Sequence, residues 1–369
     1  MAEAKTLSRT GWRKSRAISV IHDLPYRRLL ILTEGQLGVF SSKTGTSVMR
    51  YRPKDCVAVL DSAAAGKPLK SLLEDVPDLP IVASVAEALP LEPDAVLIGI
   101  APVGGALPDA MRRHLVDALG NGISIISGLH ASLRTDPELA ELAALHDARI
   151  HDVRDPGPIQ HIACGRARYA RAKRVLTVGT DCAVGKMVTA LELRAQAVRQ
   201  GLDAAFVATG QTGIMIEGWG IAVDHVLSDF TAGAAELLVQ HVADRQICFI
   251  EGQGSVGHPA YSCVTLALLH GTCPDAMVMC HRPGRRLHSG WEDCPVAPIE
   301  KQIALYEQMA APVHPGRVVA VAVNTVGMPA DAADRAVCEI ADRTGLPAAD
   351  PVRHGCATLL TAVRKHLSI

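Results

Sequence analysis

The chain has 369 residues, 37 Lys plus Arg against 38 Asp plus Glu, and 49% hydrophobic residues, enough to bury one large core or two. A formal net charge of -1 leaves no electrostatic footprint for nucleic acid, and 3 Trp, 5 Tyr and 4 Phe are too few for a base-stacking platform. A disordered or fibrous protein is excluded, and a metabolic enzyme or small-molecule binder is expected.

No apolar run reaches the ~18 to 20 residues needed to span a bilayer, and the first 30 residues lack a signal core. A cytoplasmic protein without a membrane or nucleic-acid partner is therefore expected, acting on small molecules as a homo-oligomer. The basic leader (Arg9, Arg13, Lys14, Arg16), interrupted by Glu3 upstream, reads as a solvated tail. Ten cysteines without a C-x-x-C pair fit reduced thiols.

Along the first 165 residues, apolar runs at Leu29 to Leu32, Cys56 to Leu60, Ile81 to Val85, Ala95 to Ile100 and Ile123 to Ile126 read as buried strands. Helical patterns begin near Leu107 and at Asp136-Pro137-Glu138, a cap followed by proline at the first helical position. Strands apolar on both faces and separated by helices imply a parallel sheet covered on both sides, a Rossmann-like α/β domain over residues 1–165. The Pro, Gly and Arg-rich stretch from Asp155 to Arg174 suits an exposed connection.

A second α/β domain is expected over residues 166–369. Its strands are predicted at Arg174 to Val178, Ala204 to Ala208, Gln246 to Ile250, Ala276 to Cys280 and Arg317 to Val323, with a helix from Asp331 to Thr344 stopped by Gly345. Its most informative segment runs from Val175 to Met187. A β-branched strand enters Gly179, then Thr180, Asp181, Cys182, Ala183 and Val184 intervene before Gly185-Lys186 opens a helix with Val188, Leu191, Ala195 and Val198 as its apolar face. Strand, glycine loop, lysine and helix make a phosphate cradle, in which backbone N–H groups and the helix N-terminus attract the anion and the lysine reaches its oxygens.

Two departures from the common P-loop matter. Five residues rather than four separate the glycines, and Met187 stands where Ser or Thr normally ligates magnesium. Thr189 lies roughly 200° further round the helix and cannot replace that hydroxyl. A diphosphate can still be held by backbone and Lys186, whereas transfer of a terminal phosphoryl group leans on the metal.

Two further glycine-rich segments follow strands, where a parallel sheet presents ligand-facing groups. Glu251-Gly-Gln-Gly-Ser-Val-Gly-His-Pro259 offers Glu251 as general base or metal ligand and Gln253, Ser255 and His258 as polar contacts. The competing reading is a turn with a solvated glutamate. Ala208-Thr-Gly-Gln-Thr-Gly-Ile214 offers Gln211 and Thr212, and Asp224 and Asp229 complete the acids that face the same crevice in this reading.

These blocks, with Ser228-Asp-Phe-Thr-Ala-Gly-Ala-Ala-Glu236 and His258-Pro-Ala-Tyr261, resemble the signature of one bacterial family that joins a Rossmann-like domain to a P-loop domain. Leu60-Asp-Ser62, Ile98-Gly-Ile-Ala-Pro-Val-Gly-Gly105 and Ser127-Gly-Leu-His130 extend the resemblance over nearly the whole chain. The activity it implies is that of DgcN-type D-glutamate N-acetyltransferases, which use acetyl-CoA. Val188 departs from the family's usual Thr. The loop spacing and the Glu-Gly motif also resemble dethiobiotin synthetase, an ATP-dependent ligase that carries Thr where this chain has Met187.

The leading expectation is an acyltransferase. Gly179 to Met187 cradle coenzyme A phosphates, the amine of D-glutamate or a related D-amino acid attacks the thioester, and Glu251, Asp229 or His258 removes its proton. Gln211, Thr212, Gln253 and Ser255 contact substrate, while Arg282, Arg285 or Arg286 grips its carboxylates. No metal is required. The runner-up is a magnesium- and ATP-dependent ligase or carboxylase, with Asp181 and Glu251 as metal ligands. Cys263, His270, Cys273, Cys280, His281, His288 and Cys294 lie close in sequence but supply no second close-spaced pair for zinc. Cys182 reads as a small loop residue rather than a nucleophile.

Overall fold

The computed structural model describes residues 22–38, 41–100, 107–291 and 293–369. The basic leader and residues 101–105 of the Ile98–Gly105 block lie outside them.

The described chain opens with β1 (His22–Asp23) and β2 (Leu29–Leu32), followed by α1 (Lys43–Tyr51), β3 (Cys56–Leu60), β4 (Ile81–Val82) and α2 (Val85–Ala88). It continues through β5 (Ala95–Ile98), α3 (Asp109–Gly120), β6 (Ser124–Ser127), α4 (Pro137–Leu145) and β7 (Ile150–Asp152). Six of these strands form a parallel sheet in the order β4-β3-β2-β5-β6-β7, the doubly wound order with its switch point between β2 and β5. β2 and β5 are unbroken apolar runs buried at every residue, and β6 is equally buried although Ser124 and Ser127 bound its two isoleucines. Asp136 caps α4 by accepting the Leu139 N–H at 3.1 Å, with Pro137 at the first helical position.

The second sheet begins at β8 (Lys173–Gly179), which leads through the phosphate loop into α5 (Lys186–Arg199) and β9 (Ala204–Val207). Next come α6 (Gln211–Glu217), β10 (Trp219–Gly220), α7 (Ser228–His241), β11 (Ile247–Ile250), α8 (Ser262–Thr272), β12 (Ala276–His281) and α9 (Ile299–Ala310). β13 (Arg317–Val323), α10 (Ala330–Thr344), β14 (Ala348–Ala349) and α11 (Ala357–Leu367) complete it. The sheet is parallel, in the order β14-β13-β12-β8-β11-β9. β8 is central, so the loop that follows it is flanked by the ends of β11 and β12. Gly345 stops α10 in the left-handed region, its N–H returning to Ala341 O at 2.8 Å.

Two expectations are corrected. The run from Ile81 to Val85 is a strand only to Val82, because Ser84 caps α2 and accepts the Glu87 N–H. Of the expected apolar face of α5 only Leu191 is fully buried; the inner face is Lys186, Thr189, Ala190, Leu191, Leu193 and Ala197, while Val198 is half exposed. The loop fixes Lys186 inward, and at 100° per residue that anchor sets the phase of every later position.

The two sheets share one apolar cluster that includes Leu29, Ile31 and Val48 from the first and Val175, Ala190 and Met215 from the second. β1 pairs antiparallel with β10, stitching the start of the first domain to the second. Helix α1 docks on the second domain through Thr44 Oγ1 to Thr212 Oγ1 at 3.2 Å, Tyr51 Oη to Glu192 at 3.0 Å and buried Arg52 to Met215 O at 2.8 Å.

Candidate active site

The phosphate loop is tied together by its own lysine. Lys186 is buried and donates from Nζ to Asp181 O at 2.8 Å, so its ammonium lies under the loop. Burial holds its pKa below the usual lysine value. A Cβ at Gly179 would stand 2.8 Å from Val184 and 3.1 Å from Lys186 Nζ, and Gly185 sits at φ +104°, so both glycines are required by geometry. Cys182, Gly185, Lys186 and Met187 form one wall of a cleft of about 220 Å³, faced by Gly252 to Gly254 and by Lys43 of α1. Thr180 and Val184 point away from it: Thr180 Oγ1 meets His281 Nδ1 at 3.1 Å and Val184 packs into the core.

Asp181 is fully engaged with protein. Its carboxylate accepts from Arg285 at 2.7 Å, His288 Nδ1 at 2.8 Å and the Ser289 N–H at 3.0 Å. Burial pushes this carboxyl up, but the His288 and Arg285 bonds outweigh it and hold the group below the usual range. Arg285 also donates to Cys182 O at 2.9 Å. The arginine expected to grip substrate carboxylates instead braces the phosphate loop, and Arg282 and Arg286 line neither this cleft nor its neighbour.

Glu251 directly follows β11, is buried, and does not itself line the cleft. Its Oε2 accepts the Thr209 N–H at 2.9 Å and the Gly210 N–H at 3.1 Å. Burial raises its pKa to about 7 against those two bonds, which is where a general base works best. Glycines make this possible: a Cβ on Gly213 would lie 2.3 Å from Oε2, and one on Gly252 would lie 1.7 Å from Thr177 O. Gln253 roofs the carboxylate, donating to Thr209 O at 2.6 Å, and lines the cleft.

His258 is buried and sits against Tyr261, His288 and Trp291 at ring distances of 4.7 to 4.9 Å. Its Nδ1 accepts the Ala260 N–H at 3.1 Å, which places the proton on Nε2. Nε2 has no partner and faces Asp181 Oδ1 at 3.8 Å. Burial lowers its pKa, so the ring stays neutral and presents an unused donor. His258 therefore cannot serve as a base through Nε2, correcting that expectation.

The donor atoms of Asp181, Cys182 and His258 lie within 4.8 Å of one another. They do not suit a metal, because Nε2 holds a proton in place of a lone pair and Asp181 is already saturated by Arg285, His288 and Ser289. The Asp181 and Glu251 pair needed for magnesium fails for the same reason, and Met187 contributes no oxygen. Burial raises the Cys182 thiol pKa and keeps it protonated. The Cys/His run around 263–294 is dispersed: His270 bonds Met309 O, Cys273 bonds His270 O and Cys280 meets Thr189 in the core.

A second cleft of about 590 Å³ adjoins the first through Cys182, Gln253 and Gly254. Tyr261, Ser228 and Asp224 line it from the second domain and His130 from the first. Arg154, then burial, lowers the His130 pKa. Several sequence candidates fall elsewhere. Gln211 packs on Gly128 and Thr212 on Thr44, so both serve the domain contact. Ser255 is buried without a hydrogen-bond partner, and Asp229 is exposed at the start of α7, outside both clefts. Lys43 and Ser289 escaped the sequence reading because folding alone brings them here, and Thr209 was visible only within its glycine-rich block. His288 was visible only as a zinc candidate, and His130 and Tyr261 only within the family blocks.

Two doubly covered parallel sheets, one carrying a phosphate loop after its central strand, define a Rossmann-like domain fused to a P-loop domain. Residues 62–156 match the DUF1611 N-terminal Rossmann-like domain and residues 161–360 the DUF1611 P-loop domain, both described as domains of unknown function, and the chain belongs to that family. A Tritonibacter scottomollicae protein named D-glutamate N-acetyltransferase is 37% identical over 326 residues, covering 88% of this chain and 95% of its own. A Pseudoalteromonas protein of the same name is 39% identical over 279 residues, covering 75% and 83%. The crystal structure of a DUF1611 family protein from Anabaena variabilis is 40% identical and superposes with a TM-score of 0.86, covering 92% of this chain and 99% of that one. Among the described residues, no helix is long and apolar enough to cross a membrane.

Proposed function

We propose that this protein is an N-acetyltransferase that moves the acetyl group of acetyl-CoA to the amine of D-glutamate or a related acidic D-amino acid. Its named relatives support the reaction type. The observation that carries the reading is the continuity of two clefts, a phosphate-sized one on the loop and a larger polar one beside it, joined at Cys182, Gln253 and Gly254. A diphosphate held on the loop leaves its acyl arm within reach of the larger chamber. The ligase reading lacks its metal ligands.

In this mechanism the loop N–H groups and Lys186 hold coenzyme A phosphates without a metal. Glu251, with its pKa near neutrality, accepts the proton that the amine must lose. The C–N bond forms first, giving a tetrahedral adduct; the C–S bond then breaks and the thiolate of coenzyme A leaves. The neutral His258 Nε2–H, a donor without an acceptor, stabilises the oxygen that becomes negative at the tetrahedral stage. Incubation with acetyl-CoA and a panel of D- and L-amino acids tests the proposal by thiol release and mass spectrometry. Acetylation of an acidic D-amino acid is expected; thiol release with none of the panel, or phosphate release from ATP with a substrate, overturns it.

A further inference from the structure

We propose that the phosphate site is completed by the other domain: Lys43, the first residue of α1, is its second cation and clamps a ligand phosphate against the loop. The inference rests on the loop being a phosphate cradle and goes beyond it by assigning a residue of the Rossmann-like domain to ligand binding. Lys43 and Lys186 face the same cleft of about 220 Å³. Lys186 is buried and held by a backbone carbonyl, while the Asp181 carboxylate is spent on Arg285, His288 and Ser289. Lys43 is exposed, with no hydrogen bond or ion pair among the described residues. Two cations at one cleft repel each other, and the Lys43 charge is felt at both Lys186 and Glu251.

The fold nevertheless fixes Lys43 there. Thr44, Tyr51 and Arg52 tie α1 to Thr212, Glu192 and Met215 of the second domain. Gly45 sets the depth of the helix, since a Cβ there would lie 2.7 Å from Ile31 and 3.1 Å from Gly99. A helix anchored across the domain boundary and beginning with an unpaired lysine opposite a buried one suits a ligand group of two negative charges, a phosphomonoester or diphosphate. Coenzyme A carries both.

The test is calorimetric titration of the full-length protein with coenzyme A, dephospho-coenzyme A and ADP, for the wild type, Lys43→Ala and Lys43→Arg. Lys43→Ala is expected to weaken binding about tenfold, at the low end for a charge-assisted contact because the side chain is exposed. It should leave thermal stability unchanged, and Lys43→Arg should recover most of the affinity. A loss confined to coenzyme A assigns Lys43 to the 3′-phosphate, and an equal loss for all three assigns it to the diphosphate; either supports the clamp. Unchanged affinity for all three in folded Lys43→Ala overturns it. A wild type that binds ADP but not coenzyme A, with ADP weakened by Lys43→Ala, would keep the clamp and overturn the acetyltransferase reading.

Discussion

Replacing Glu251 by Gln isolates one proton at one atom. The amide oxygen can accept the Thr209 and Gly210 N–H groups that now share Oε2, so shape and local backbone are retained while the ionisable group is lost. In the native protein this carboxyl titrates at about 7 against an ordinary value of 4.5. Between those values the native state holds a proton that the unfolded chain has released, so stability falls as pH rises. The stabilising contribution is complete below pH 4.5 and lost as pH passes through 7. At 1.36 kcal/mol per pH unit the total is roughly 3 kcal/mol. Urea denaturation at pH 5, 6, 7 and 8 should therefore show Glu251→Gln gaining on the wild type by that amount, with the gap opening over this window. The wild type's kcat/KM should rise through pH 7 as the base is freed, and the variant should lose both this limb and about two to four orders of magnitude in turnover. A stability gap that ignores pH would refute the burial argument. Near-normal turnover with the limb intact would remove Glu251 as base and point to His130, the neutral imidazole of the larger cleft.

Lys186→Ala should weaken acetyl-CoA binding by about one to two orders of magnitude in calorimetry, and an unchanged affinity in folded protein would sink the cradle. His258→Phe should lower kcat by roughly two to three orders of magnitude without moving the pH limb, because a neutral donor does not titrate; a moved limb would restore His258 as base. Gly252→Ala should abolish soluble expression, its Cβ falling 1.7 Å from Thr177 O, whereas Gly120→Ala at the end of α3, with open space around it, should melt like the wild type. Purified protein with magnesium should release no measurable phosphate from ATP or GTP, with or without D-glutamate, since neither Met187 nor Asp181 can hold the ion; stimulated release would revive the ligase mechanism.

Much of the fold is legible because buried parallel strands write themselves as unbroken apolar runs. Cys56–Leu60 and Arg317–Val323 coincide with their predicted limits. β7 and β14, at sheet edges with two or three residues each, leave no such run and were not anticipated. The phosphate loop was readable because Gly179, Gly185 and Lys186 act through local backbone geometry. What sequence could not rank were side chains whose role depends on partners far along the chain. Arg285 looks like a substrate arginine until Asp181, 104 positions earlier, is seen beneath it. His258 looks like a base until the Ala260 N–H fixes its tautomer. Gln211 and Thr212 follow a strand as ligand contacts do, but the first domain already occupies that face.

The stitching between domains also governs how the molecule is made. Arg52 is buried with its guanidinium on Met215 O, 163 residues downstream, and β1 waits for a partner, β10, that lies beyond residue 218. At synthesis rates of about 5 to 20 residues per second, roughly ten to thirty seconds separate the emergence of α1 from that of its seat. During that interval the first sheet can assemble and α1 can pack on it through Gly45, but α1 and the opening strand remain without their contacts to the second domain. A newly made first domain thus presents an incomplete surface until residue 220 has emerged. Slowing translation between residues 60 and 210 should favour its aggregation, whereas slowing it after residue 220 should not.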